Sequence, residues 1–169
     1  IQVLHISDTQ SGLLLTMYAI GCVILYIPGG ILADKMNPKK ALMLSLAVAT
    51  ILTGAFAVTI LLDLPGSVAY GISLVIWLLI AFASGFVFWT AILKAIRIIG
   101  TEEEQGTMYG IYYAANGTTA AIIAAVNLWA YNAGGGDSNM KSGFFWAVVS
   151  MAAFTLLATI LIAIFLEGK

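Results

Sequence analysis

Charge is what this chain has least of. Asp, Glu, Lys and Arg together make up 9% of its 169 residues, against about 25% in an ordinary soluble domain. Aliphatic, aromatic and cysteine residues account for 62%. A surface that poor in charge excludes a soluble globular domain and places the chain in lipid. One cysteine, Cys22, lies inside an apolar run, so an internal disulfide is excluded. One histidine, His5, is accompanied by no metal-ligand cluster, no nucleophile–base set and no paired intramembrane carboxylates. An enzyme is therefore not expected, and neither is a metal or cofactor. The net charge of -1 identifies no partner, because the charges are sorted by side rather than clustered. No nucleic-acid partner is expected. A cleavable signal pattern is missing too, and the first residue is Ile1, so the segment is expected to begin inside a longer sequence.

What is present is five apolar runs, each close to the roughly 20 residues that a bilayer crossing takes. They predict an all-α integral membrane bundle with helices at about 10–33, 39–62, 68–97, 103–131 and 142–167. Ser7, Asp8 or Thr9 is placed to cap the first helix, with Gln10 or Ser11 in its opening turn. Thr101 followed three residues later by Glu104 is a capping-box pattern at the fourth. The second helix carries nothing chemical and is expected to face lipid or fill space. Residues 131–139, with three successive glycines, are expected to form a flexible loop. Basic residues divide six to one: Lys35, Lys39, Lys40, Lys94, Arg97 and Lys169 on one side, Lys141 on the other. That bias predicts an outside N-terminus and a cytoplasmic C-terminus.

Two helices carry polar faces. At 100° per residue, Ser11, Tyr18, Cys22, Tyr26 and Gly29 share one side of the first helix. This is either a packing face or the wall of a watery path. On the fourth helix, Tyr112, Tyr113, Asn116 and Asn127 fall within about 60° of Tyr109. A second stripe there, Gly106, Gly110, Ala114 and Gly117, has the spacing by which membrane helices approach closely. Candidate cavity residues are therefore Tyr18, Cys22, Tyr26, Tyr112, Tyr113 and Asn116. For Asn116 the bland reading is an interhelical hydrogen bond worth roughly 1 kcal/mol.

Between the first two helices stands Gly30-Ile31-Leu32-Ala33-Asp34-Lys35-Met36-Asn37-Pro38-Lys39-Lys40. Asn37 can supply the left-handed conformation of a tight reversal, and Pro38 suits the first turn of the next helix. A Gly-x-Leu-Ala-Asp-Lys-x-x-x-Lys-Lys loop between two spanning helices resembles the signature loop of the major facilitator superfamily of secondary transporters. That signature usually has glycine and a basic residue where this chain has Asn37 and Pro38. The helix order after the loop and Gln105-Gly106 with Gly110 look like the family too. The resemblance implies helices two to six of one six-helix half, the N-terminal one by preference, with the first helix and other half as missing partners. It implies alternating-access transport of a small polar solute. It also implies a gating role for Gly30, Asp34, Lys35, Lys39 and Lys40, the carboxylate meeting the positive end of a helix in the other half. Where many proton-coupled exporters of the superfamily carry an arginine, this chain has Trp77, with Ala81 and Gly85 following. The alternative class is a membrane-embedded scaffold whose small-residue stripe binds a partner.

Overall fold

The computed structural model describes residues 3–99 and 101–166, with backbone alone at positions 33, 34, 86, 87 and 99. Helix α1 runs Asp8–Lys35, α2 Pro38–Leu61, α3 Gly66–Ala81, α4 Trp89–Ile99, α5 Gln105–Ala133 and α6 Met140–Phe165. No strand occurs among the described residues. A π-helical segment, Phe82–Phe88, joins α3 to α4 into one rod, where the sequence predicts an uninterrupted helix. The chain is an all-α membrane protein. Four pieces are long and apolar enough to cross a bilayer: Asp8–Leu32, Pro38–Leu61, Gly66–Ile98 and Met140–Phe165. Helix α5, the expected fifth span, has 29 residues, or about 43 Å at 1.5 Å each. Its glycines, threonines, tyrosines and asparagines dilute its apolarity.

The rods stand side by side in the order α1, α3–α4, α2, α6, α5, each antiparallel to its chain neighbour. The second helix fills the space between two neighbours. α2 lies between the rod and α6 and buries Ala41, Leu42, Ser45, Leu46, Phe56, Ala57, Thr59 and Ile60. Small Ala and Ser side chains on that face let the rod come close, which composition alone does not reveal. Thr50 donates from its hydroxyl to Thr155 at 2.9 Å, tying α2 to α6.

Two apolar clusters hold the bundle. At the end opposite the lysines, Leu4, Ile6, Leu14, Phe56, Ala57, Ile60, Ala69, Ile76 and Val148 pack together. A chain of edge-to-face rings runs through this layer. Tyr18 meets Trp77 at 6.1 Å, Trp77 meets Phe56 at 6.2 Å, and Phe56 meets Phe144 at 6.2 Å. Edge-to-face pairs at such spacing add about 0.5–1.5 kcal/mol each beyond area burial. The ladder links α1, α3, α2 and α6. At the lysine-rich end, Ala41, Leu42 and Ala91 form a smaller cluster with Met36, Phe88, Ile92, Ile162 and Leu166.

Caps fix the ends. The Ser7 N–H donates to the Gln10 side chain, and the Gln10 N–H donates to the Ser7 hydroxyl, a reciprocal box that starts α1 at Asp8. Pro28 is accommodated inside α1. Asn37 does not take a left-handed conformation: its φ is -68° and its ψ 126°. Its side chain instead accepts from the Lys39 N–H at 2.9 Å, capping α2, and Pro38 follows at the first helical position. An extended cap reverses the chain as sharply as a left-handed residue would.

The glycine-rich loop is a defined turn. Gly135 (φ 125°) and Gly136 (φ 51°) occupy positive φ, which a side chain would disfavour. Ser138 donates to the Gly135 carbonyl, Tyr131 to the Asp137 carboxylate, and the Asn139 side chain accepts from the Ser142 N–H to cap α6. Lys141 then pairs with Asp63, joining the start of α6 to the turn between α2 and α3.

Candidate functional site: two polar helix faces and a lysine-rich end

On α1 the predicted cavity residues divide. The Tyr18 hydroxyl lies 3.1 Å from the Ser84 hydroxyl, and Ser84 also donates to the Ile80 carbonyl. Cys22 sits against the π segment, its sulfur 4.0 Å from the Ala81 carbonyl. Approach there is so close that a Cβ on Gly85 would stand 2.8 Å from the Cys22 Cα. Tyr18 and Cys22 therefore act as a packing seam between α1 and the rod. Tyr26, two turns further along, is exposed.

On α5 the face divides along its length. Near its end, Asn127 accepts from the Ser150 hydroxyl of α6, a short hydrogen bond between two membrane helices. Gly143 of α6 lies so near Tyr131 that a Cβ there would come 2.7 Å from its carbonyl oxygen. Earlier on the helix, Tyr113 and Asn116 are exposed and Tyr112 is half-buried. The Tyr112 and Tyr113 rings stand edge to face at 5.1 Å. The small-residue stripe is also uncovered: a Cβ on Gly106, Gly110 or Gly117 would meet nothing within 4 Å, and Ala114 is exposed.

α1 packs on the rod, whereas α5 packs on α6, at opposite ends of the row. The structure therefore does not bring the tyrosines of α1 into contact with Tyr112, Tyr113 and Asn116. They bound the two flanks of the bundle instead.

At the lysine-rich end, Gly30, Thr90, Leu93, Lys94, Arg97 and Ile98 line a cleft of about 480 Å³ between α1 and α4. Two lysines act as ties. The Lys94 ammonium donates to the Met36 carbonyl at 3.1 Å, holding the end of α1. The Lys39 ammonium donates to the Ala163 carbonyl at 2.9 Å, in the last turn of α6. A cation there also suits the negative end of the helix dipole. Lys35 and Lys40 are exposed. The backbone of Asp34 belongs to α1, and its side chain lies outside the described residues. Sequence reasoning counted Lys94 only among the basic residues of one side; its approach to Met36 in the fold was the missing signal.

The Glu104 carboxylate accepts from both the N–H and the hydroxyl of Thr101, at 3.3 and 2.8 Å. Those bonds hold its carboxyl below the usual glutamate range. Lys141 lowers Asp63 in the same sense, through its hydrogen bond first and its charge second. Among the described residues no group of three metal-capable side chains comes together.

The chain is similar to curated proteins along most of its length, two of them named as inner membrane proteins. It is 27% identical over 128 residues to the Inner membrane protein YqcE of Escherichia coli (strain K12), covering 75% of this chain and 28% of that protein. With the Uncharacterized protein MG294 homolog of Mycoplasma pneumoniae it shares 33% identity over 147 residues, 80% of this chain and 30% of the other. With the Inner membrane protein YihN of Escherichia coli (strain K12) it shares 26% over 153 residues, 88% and 34% respectively. The chain thus spans about a third of the length of these curated relatives. No solved structure matches it. The family model described as Major Facilitator Superfamily matches residues 1–169. With signature loop, antiparallel apolar helices and whole-length match in agreement, this multi-pass membrane chain belongs to the major facilitator superfamily, a family of transporters.

Proposed function

We propose that the chain is part of one half of a secondary transporter, moving a small polar solute by alternating access. The observation that carries this reading is the uncovered polar face of α5, where Tyr112, Tyr113 and Asn116 stand together on a helix of membrane length. Amide and phenol groups at membrane depth are costly unless something polar meets them. A watery path or a second protein half supplies that. Neutral hydrogen-bonding side chains suit a polar organic solute. Tyr26 is exposed on the opposite flank and adds a further hydroxyl to the same path once the remaining helices are in place.

The lysine-rich end faces the cytoplasm in this reading, following the six-to-one basic bias. The segment then enters from outside and leaves inside, in a cell membrane of the kind named for the two Escherichia coli relatives. Helices two to six of one half is the assignment that fits the helix order. The Gly30–Lys40 loop gates, with Asp34 meeting a helix of the other half and Lys39 and Lys94 fixing the platform it moves against.

Asn116→Ala in the intact protein tests the site. Solute affinity is expected to fall roughly tenfold, the worth of one good hydrogen bond, with an unchanged thermal midpoint. A lowered midpoint with unchanged affinity overturns the assignment and leaves Asn116 as an interhelical tie.

A further inference from the structure

Beside the π segment lies a groove that belongs to neither polar face. It holds about 300 Å³ between α2 and the rod, lined by Leu44, Val48 and Leu52 on one side and Leu79, Phe82 and Ala83 on the other. Its one hydroxyl residue, Ser45, is buried at the bottom. The groove opens onto the outer stripe of α2, where Leu44, Ile51 and Val58 are exposed and carry no hydrogen-bonding group. That stripe is the face α2 turns away from both of its neighbours, the rod and α6, and in a bilayer its solvent is lipid.

We propose that this groove is a resident lipid site, taking one acyl chain of a membrane phospholipid. Three observations point to that occupant. The lining is aliphatic and aromatic, so a chain of methylenes matches it and a polar ligand does not. Its volume equals about ten liquid waters at roughly 30 Å³ each, too little to seat a helix about 10 Å across. The mouth is continuous with the lipid-facing stripe, so a chain enters sideways from the bilayer. Phe82, half exposed, and Ala83, buried, stand at the start of the π segment and form the rod's side of the groove with Leu79.

The experiment uses the intact protein in liposomes containing a phosphatidylethanolamine with a diazirine in one acyl chain. Irradiation follows extraction into detergent, when loosely held lipid has been washed away. Cross-links are expected at Val48, Leu52 and Ala83, exceeding those at Ile51 and Val58 roughly tenfold. Val48→Phe and, separately, Ala83→Leu are expected to abolish the retained label while leaving the thermal midpoint within a few degrees. Two substitutions from opposite walls guard against one of them failing to fold, and the wild-type cross-link map stands without either. Absent label after extraction, or label spread equally over groove and stripe, overturns the proposal. So does a photoreactive amino acid at position 48 that cross-links to another helix of the same protein instead of to lipid.

Discussion

Gly85 and Gly110 are both helical glycines, yet they meet opposite surroundings. Gly85 faces the Cα of Cys22 at a distance no real Cβ tolerates, whereas Gly110 faces open space. Gly85→Ala is therefore expected to push α1 from the rod and destabilise by about 1–3 kcal/mol, as overpacking does. Gly110→Ala in the same bundle is expected to be neutral or to stabilise slightly, since alanine favours helix by up to about 1 kcal/mol. Thermal unfolding of the two variants checks this, and equal losses would refute it. Sequence spacing marked Gly110 as a candidate for close approach and gave Gly85 no such role. It could not say which one has a neighbour, because that depends on which helices stand side by side. Asn127 and Asn116 teach the same lesson. Both lie on one polar face by periodicity, but only Asn127 reaches a partner, the Ser150 hydroxyl.

Among the elements, α5 is the clearest case of a boundary written in its own residues. Its start is held by Thr101 and Glu104, a box visible in the sequence from the three-residue spacing. Because the folded Glu104 carboxyl sits below its ordinary value of 4.5, its contribution is fully present above that pH. It is lost as pH falls through the lowered folded value. Protection of the amides at residues 103–107, measured against the intrinsic exchange rate at each pH, is expected to be constant from neutrality to about pH 4.5 and to fall below it. Protection already falling near pH 6 would contradict the cap. The π segment, by contrast, left no mark in the apolar pattern, since Phe, Ala, Ser and Gly suit an ordinary turn equally well. Deleting one residue from Phe82–Phe88 is expected to restore a plain helix and leave α4 close to its present facing, because six α-helical residues turn about as far as seven in the wider π turn. The Lys94 contact with Met36 and the burial of Ala91 would then persist. Cysteine pairs at 36 and 94 would keep their cross-link, and its loss would refute this account of the segment.

For the whole molecule, the row of rods predicts how the ends meet solvent. Asn37 belongs to the lysine-rich end, and Ser138 lies near the Lys141–Asp63 pair at the other. Impermeant thiol labelling of single cysteines at these two positions is expected to come from opposite sides of the membrane. Labelling from one side would sink the topology. On the proposed gating role of the signature loop, Asp34→Asn in the intact protein is expected to slow turnover while solute affinity stays within a few-fold. A large affinity loss with normal turnover would place Asp34 in the binding site instead. Helix class, the signature loop and the sorting of charge were open to reading from sequence because each is local. Neighbour order was not. α2 looked featureless, and its central place follows from α6, which stands about 100 residues away in the chain.

That separation has a consequence for how the protein is made. At about 5–20 residues per second of synthesis, α6 emerges roughly 5–20 s after α2. Until then Thr50 has no Thr155, and the aromatic ladder ends at Phe56 without Phe144. The nascent α1 waits in turn for the π segment before the Tyr18 hydroxyl finds Ser84. Polar side chains must therefore sit in the bilayer without their partners on later helices, the Thr50 hydroxyl meanwhile held by the Leu46 carbonyl of its own helix. The modest polarity of those side chains, hydroxyl and thiol instead of carboxylate or ammonium, is what lets a half-translated bundle tolerate the wait.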